Sequence, residues 1–547
     1  MPSHRVRTRP PRESSTPPLV ATEPETIGAY LEDAAHYPGG HAAGVACPRT
    51  EGEVAALVRT SRRILPIGAQ SSVTGGATPM GEVIVSTARM NSVVEIRGDR
   101  ARVQPGVAIS ALQESLVAAG CYYPPFPTYT AAFAGGVVAT NASGAATFKY
   151  GSTRGWVEAL TVVLASGEAL DLERGQVCAH PDRYFEIESS SPEGLRYASP
   201  HVTRVPVPTY RMPDVPKRSA GYFAEPGMDL IDLFIGAEGT LGIITEVTFR
   251  VLTRIPALAL ALVPVPSEAK AVALVDALRR ASHHTWRDRD PLGLDVCAIE
   301  NMDRRCLEML REDGVDRKHD VTFLDDTAIA LLVQLELPAH TTSERAYDEI
   351  GNARSSSAPD TPLVRFCRLL DEFGVLDATE LALPGDQKRR QQLVDVREAV
   401  PSAVNQRVGE AKRATGQDIE KTAADMIVPF EHFGEMLEIY HDGYRRRGLD
   451  HAIWGHISDG NVHPNVIPRS IDDVKAGKEA ILEFGREVAR RGGCPLAEHG
   501  VGRSPVKQAL LKQLYGDRGI QQMRAVKRAL DPQRKLAPGV LFGANEE

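Results

Sequence analysis

Among the seven cysteines no two stand at C-x-x-C spacing. That argues against iron–sulfur and structural zinc sites of that kind and suits a reducing compartment. No apolar run approaches the ~20 residues that a membrane span needs. Basic residues are not in excess, since the net charge is -8, and nothing points to a nucleic-acid partner. No G-x-G-x-x-G follows the first strand-like runs, so a Rossmann nucleotide site is not supported. No internal repeat of roughly 20–50 residues is present. Residues 1–18 are rich in Arg, Pro, Ser and Thr and lack the apolar run of a secretory signal. They read as a disordered tail, with a transit peptide as the second reading.

What remains is an ordinary globular chain of 547 residues, 42% hydrophobic and 24% charged, long enough for two or three domains. Thr50-Glu51-Gly52-Glu53 reads as a capping box opening a helix that ends near Arg62 or Arg63. Ile64 to Ile67, Val83 to Val85 and Val93 to Ile96 read as strands, and so do residues 160–164 and 247–251. Ser110-Ala111-Leu112-Gln113 reads as a second capping box, for a helix stopped by Gly120. Strands and helices alternate irregularly, which predicts an α+β fold. Near Pro256 charged, helix-compatible sequence takes over, with a loop at 354–362 and an amphipathic helix at 475–491 closed by Gly492-Gly493.

Three glycine-rich segments lie within one region of about 210 residues. They are residues 66–76, residues 134–144 and residues 234–245. Backbone N–H groups in such segments form nests for a pyrophosphate, and the Gln70, Ser71, Ser72 and Thr74 side chains offer further hydrogen bonds. Any one segment reads equally as a tight turn. Further on, His456 and His463 stand in Gly455-His456-Ile457-Ser458-Asp459-Gly460-Asn461-Val462-His463-Pro464-Asn465, and Glu498-His499-Gly500-Val501-Gly502 follows. Two imidazoles and a carboxylate suit a divalent metal. The two histidines alone read equally as loop residues around an Asp-Gly-Asn turn.

Taken together, the ordered motifs resemble the D-2-hydroxyacid dehydrogenase branch of the vanillyl-alcohol oxidase superfamily, which has the PCMH-type FAD-binding fold. The branch includes D-lactate dehydrogenase, the glycolate oxidase flavin subunit and D-2-hydroxyglutarate dehydrogenase. The resemblance implies a PCMH-type FAD-binding domain of two α+β subdomains at 43–255, after a disordered or extended segment at 1–42. A substrate (cap) domain with the metal site would span 256–505, and residues 506–547 would return to the FAD domain. FAD would be held without a covalent bond by Ile67, Gly68, Ala69, Gln70, Ser71, Ser72 and Gly75 of the first segment. The second would add Gly135, Gly136, Thr140, Asn141, Ser143, Gly144, Tyr150 and Gly151, and the third Glu238, Gly239, Gly242 and Ile244. His456, His463 and Glu498 would ligate Zn, Mn or Fe, His499 would be the catalytic base, and Arg397, Lys421 and Asn465 would bind the substrate. Lys507 matches a family lysine of unassigned role.

Two departures stand out. Gln70-Ser71 replaces the family's Gly-Thr, and Pro124-Pro125-Phe126-Pro127 replaces its Pro-Pro-Asp-Pro. Lys421 also departs from the family's spacing to Asp425. The implied activity is oxidation of a small 2-hydroxy acid, D by analogy, to the 2-oxo acid by hydride transfer to flavin. The electron acceptor would be a quinone, a cytochrome or an electron-transfer flavoprotein. The expected location is cytoplasmic, free or peripheral to the membrane, and a homodimer is left open. The alternatives are a non-redox relative of alkylglycerone-phosphate synthase and a flavin-binding electron-transfer subunit of a larger complex.

Overall fold

The computed structural model describes residues 3–13, 15–125, 127, 129–189, 201–417 and 419–543. Two sheets build the half that carries the glycine segments. A small parallel sheet has Val83–Ser86 at its centre, flanked by Gly44–Ala46 and Ile64–Ile67. Helix Glu51–Thr60 covers it, and the Thr50 hydroxyl accepts from the Glu53 N–H at 3.2 Å, as the capping box predicts. An antiparallel sheet runs in the order Val93–Arg97, Arg100–Val103, Ile243–Arg250, Val157–Val163, Ala169–Glu173.

The second half is organised by an eight-stranded sheet. Ala257–Val265, Ile329–Leu337 and Val296–Asp303 are long strands in a region expected to be mainly helical. The reason is burial: Ile329–Leu337 is buried at all but one position, so it lacks the two-residue alternation that marks a half-exposed strand. His451–His456 and Asn461–Val466 follow as an antiparallel hairpin, with Thr422–Ala423 and Met426–Ile427 pairing on Asn461–Val466. The long helices Glu268–Asp288, Gln387–Thr415, Ile471–Arg490 and Pro505–Leu530 complete this half.

Other sequence expectations need correction. Ser110 is not a cap: helix Ile109–Ala118 starts after Ala108, and its first amides are satisfied by carbonyls, Ile109 N–H by Ala132 and Ser110 N–H by Thr130, both at 2.9 Å. Gly120 does end that helix, at φ 73°. The N-terminal segment is extended and anchored rather than free. Arg5–Arg7 pairs in parallel with Glu186–Glu188, and Arg9 clamps both Glu51 and Asp171. Its arginines, read as the mark of a tail, each find a carboxylate. At the other end, residues 535–537 lie along Ile64: the Ile64 N–H donates to Lys535 O and the Ala537 N–H to Ile64 O, both at 2.7 Å.

Candidate active site

The glycine segments converge on one cleft of about 350 Å³. Ile67, Gly68, Ala69, Gln70, Ser71 and Ser72 form one wall. Gly135, Gly136, Thr140 and Ser143 form a second, and Glu238, Gly239, Gly242 and Ile244 a third. Both Gln70 amide hydrogens are spent on backbone carbonyls, Tyr30 O at 2.9 Å and Ala77 O at 3.0 Å. That side chain therefore holds the loop together instead of offering donors to a phosphate. Five expected contacts do not line the cleft. Gly75 packs on Tyr37, Asn141 accepts from the Arg154 N–H, and Gly144 and Gly151 bond to Thr147. Tyr150 donates to Glu336 of the eight-stranded sheet, beside an ion pair of Lys149 with Asp295 and Glu336. Phe126 lies outside the described residues, although Pro127 lines the cleft.

The cleft suits an extended cofactor with phosphates. At Gly239 and Gly242 a Cβ would strike Pro66 at 2.7 Å and Val162 at 2.3 Å, so close packing alone requires glycine there. At Gly136 a Cβ would meet nothing within 4 Å, and the position borders the cleft. A side chain there would occupy ligand space without harming the fold. Gly136→Leu should therefore leave the apoprotein folded and weaken FAD binding by about 1–3 kcal/mol, roughly 5–150-fold, measured by flavin titration.

Glu498 and His499 line the same cleft. Ligating atoms of His456, His463 and Glu498 all lie within 4.8 Å of one another. The hairpin explains this: His463 pairs with Trp454 and His456 with Asn461, and positions 454 and 456 share a face, so one turn brings both histidines to one side. His456 Nε2 lies 3.2 Å from Glu498 Oε1, and His463 Nε2 lies 3.8 Å from Oε2. Each imidazole is oriented from behind by a carboxylate. Glu300 bonds His456 Nδ1, and Asp425 Oδ1 lies 3.5 Å from His463 Nδ1. That leaves both Nε2 atoms facing Glu498, a donor set suited to a divalent ion. Burial lowers the His463 pKa and so keeps the ring neutral, as a ligand must be. Burial works the same way on His456, but Glu300 and Glu498 outweigh it and hold that ring up at about 9, so a metal ion binding there must displace its proton.

Asp425 is the residue that the sequence reading missed. Its Oδ2 accepts from the Glu498 N–H at 2.8 Å and the His499 N–H at 3.1 Å, and lies 2.9 Å from His499 Nδ1. Its Oδ1 accepts from Asn461 Nδ2 at 3.0 Å. Burial opposes its charge, yet His499 and His463 hold its pKa well below the usual carboxylate range. His499 Nε2 is thus left turned toward the cleft, and the side chain is 39% exposed. Lys217 was missed as well. It is fully buried, and its ammonium reaches Glu498 Oε1 at 2.6 Å.

The expected substrate residues are placed unevenly. The Arg397 guanidinium is buried and bonds Glu300 at 2.6 Å, so it braces the carboxylate behind His456. Asn465 is buried and donates to His463 O at 2.8 Å, while its Oδ1 has no hydrogen-bond partner among the described residues. Lys421 makes no ion pair among the described residues, and neither does Lys507.

Comparison with known proteins identifies the family. Residues 42–173 match the FAD binding domain, and residues 257–541 match the C-terminal domain of FAD linked oxidases. The chain belongs to the FAD-linked oxidases. This FAD-linked oxidase is an FAD-dependent oxidoreductase. It is 27% identical to a D-2-hydroxyglutarate dehydrogenase of Stutzerimonas stutzeri, over 96% of this chain and 97% of that one. It is 24% identical to the glycolate oxidase subunit GlcD of Bacillus subtilis, with 91% and 88% covered. It is 25% identical to a D-lactate dehydrogenase of Anaerostipes hadrus, with 89% and 86% covered. Among solved structures, the 4-ethylphenol oxidase of Gulosibacter chungangensis superposes with a TM-score of 0.60 at 16% identity, with 96% and 94% covered, a likeness of fold. Among the described residues of this FAD-linked oxidase, no helix is long and apolar enough to cross a membrane.

Proposed function

We propose that the protein oxidises a small 2-hydroxy acid, of D configuration, to the 2-oxo acid. The observation that carries this is the shared cleft: Glu498 and the Asp425-oriented His499 face the space bounded by the glycine segments. FAD, held there without a covalent bond, would supply the two-electron acceptor. A divalent ion held by His456, His463 and Glu498 would supply positive charge at the substrate oxygens.

The chain's own groups do the rest. His499 Nε2 takes the hydroxyl proton, because its Nδ1 is engaged by Asp425. The buried Oδ1 of Asn465 has no hydrogen-bond partner among the described residues. Arg397 acts through Glu300 on the orientation of His456. Lys421 would provide a cationic anchor for the substrate carboxylate. Lys421 is accessible to solvent yet walled by protein. Loss of hydration, reinforced by repulsion from Lys507, pushes it down to about 8. The ammonium is present below that pH and lost above it. KM for the anionic substrate should rise by up to about tenfold per unit above pH ~8, with flavin content unchanged. A flat KM through pH ~10 would remove Lys421 from substrate binding.

The reading is tested by mixing the FAD-loaded protein anaerobically with a panel of D- and L-2-hydroxy acids and following flavin bleaching. At least one D acid should reduce the flavin, and chelation should abolish the reaction. Acid denaturation of the same sample should release all the yellow colour. No bleaching with any acid would overturn the reading.

A further inference from the structure

Lys217 has no place in the reaction just described, yet it sits at the centre of the site. Its side chain is fully buried. The ammonium lies 2.6 Å from Glu498 Oε1, 3.0 Å from Asp459 Oδ2 and 3.3 Å from Asn461 Oδ1. An ammonium has three N–H donors and no acceptor; two are hydrogen-bonded, to Glu498 and Asn461, and Asp459 pairs with it as a charge. So engaged, the group is a fixed cation and not a base.

The contact is built in on both sides. The Ser219 N–H donates to Ala497 O at 3.0 Å, which ties the lysine's own segment to the backbone next to Glu498. Asp459 and Asn461 flank Gly460, whose φ is 85° and where a Cβ would lie 2.3 Å from Val428 O. The Asp459-Gly460-Asn461 turn therefore wraps the ammonium. Asn461 Nδ2 continues the chain of bonds to Asp425 at 3.0 Å.

The two oxygens of Glu498 are not equivalent. Oε1 faces Lys217 and His456. Oε2 faces His463 at 3.8 Å and His499 at 3.9 Å, on the side of the cleft. We propose that Lys217 is a positioning residue that restricts Glu498 to one metal-facing oxygen, so that enough of the ion's coordination sphere stays open for both the hydroxyl and the carboxylate of a 2-hydroxy acid. The inference rests on the metal reading given above. A carboxylate free to turn would give both oxygens to the ion and close one position. Asp459 shares the ammonium, so Lys217 offsets only one of these two carboxylates.

The test counts water on manganese, whose preferred geometry is octahedral. The FAD-loaded protein is stripped of metal, loaded with Mn(II) alone, and its EPR linewidth is measured in 17O-enriched water. Two imidazoles and one carboxylate oxygen leave about three of six positions to water in the wild type. In Lys217→Met/Asp459→Asn, which removes one charge of each sign and leaves no buried carboxylate without a partner charge, Glu498 should turn and displace about one of those waters. Equal counts in the two proteins would overturn the proposal. So would a folded variant that binds no manganese, because the lysine would then serve general integrity. If the variant does not fold, the wild type alone decides: a count of three supports a one-oxygen Glu498, and two refutes it. A wild type that binds no manganese at all defeats the metal reading itself, a result distinct from equal counts.

Discussion

His499→Ala is expected to slow flavin reduction by about 10²–10⁴-fold while leaving FAD bound. The size follows from what the side chain can do. A 2-hydroxy acid must lose its hydroxyl proton as the α-hydrogen leaves. Of the imidazoles in the cluster, those of His456 and His463 are buried and turned toward Glu498. His499 alone is substantially exposed to the cleft, at 39%. Stopped-flow bleaching under substrate saturation measures the effect, and the flavin-to-protein ratio checks retention. Bleaching at near wild-type rates would take His499 out of the chemistry.

Asp425→Asn should be nearly as damaging, on the order of 10²–10⁴-fold in kcat, by a different route. The carboxylate serves His499 Nδ1, His463 Nδ1, two backbone amides and the Asn461 amide. An amide side chain keeps one acceptor and turns a donor toward one of these donors. If that donor is His499 Nδ1–H, the ring must adopt the other tautomer, and Nε2 then carries the proton it should accept. His463 loses its orienting charge as well, which predicts about 10–100-fold weaker metal retention. Removing one member of a buried charged set also costs about 3–5 kcal/mol of stability. Metal content, kcat and urea unfolding on one preparation separate the three effects. A variant with normal kcat and normal metal content would show that Asp425 only supports the fold.

What the sequence displayed and what it hid follow from distance along the chain. The glycine segments and the paired histidines were legible because each is a local pattern. Gly135 and Gly136, and likewise Gly239 and Gly242, form local pairs needed for close packing or for ligand space. Asp425 and Lys217 were hidden because their roles depend on strand register and long-range docking. Asp425 reaches Asn461 only because Met426↔Val462 and Ile427↔Asn461 pair across the sheet. Lys217 arrives from a segment with no regular structure. Arg397 was visible as a cation, but its partner Glu300 lies on a strand whose buried run carried no period-two signal. Tyr150 was assigned to the cofactor by its motif, and the structure ties it to Glu336 instead.

The pairing of residues 535–537 along Ile64 bears on how the protein is made. The outer edge of the parallel sheet is bridged at Ile64 by residues the ribosome adds about 470 positions later. Throughout most of translation that edge stays unpaired, a template for association with other nascent chains. Trimming the last dozen or so residues should therefore harm yield and solubility before it harms chemistry. Chaperone demand in the cell would be set by the cofactor-binding half, although that half is synthesised first.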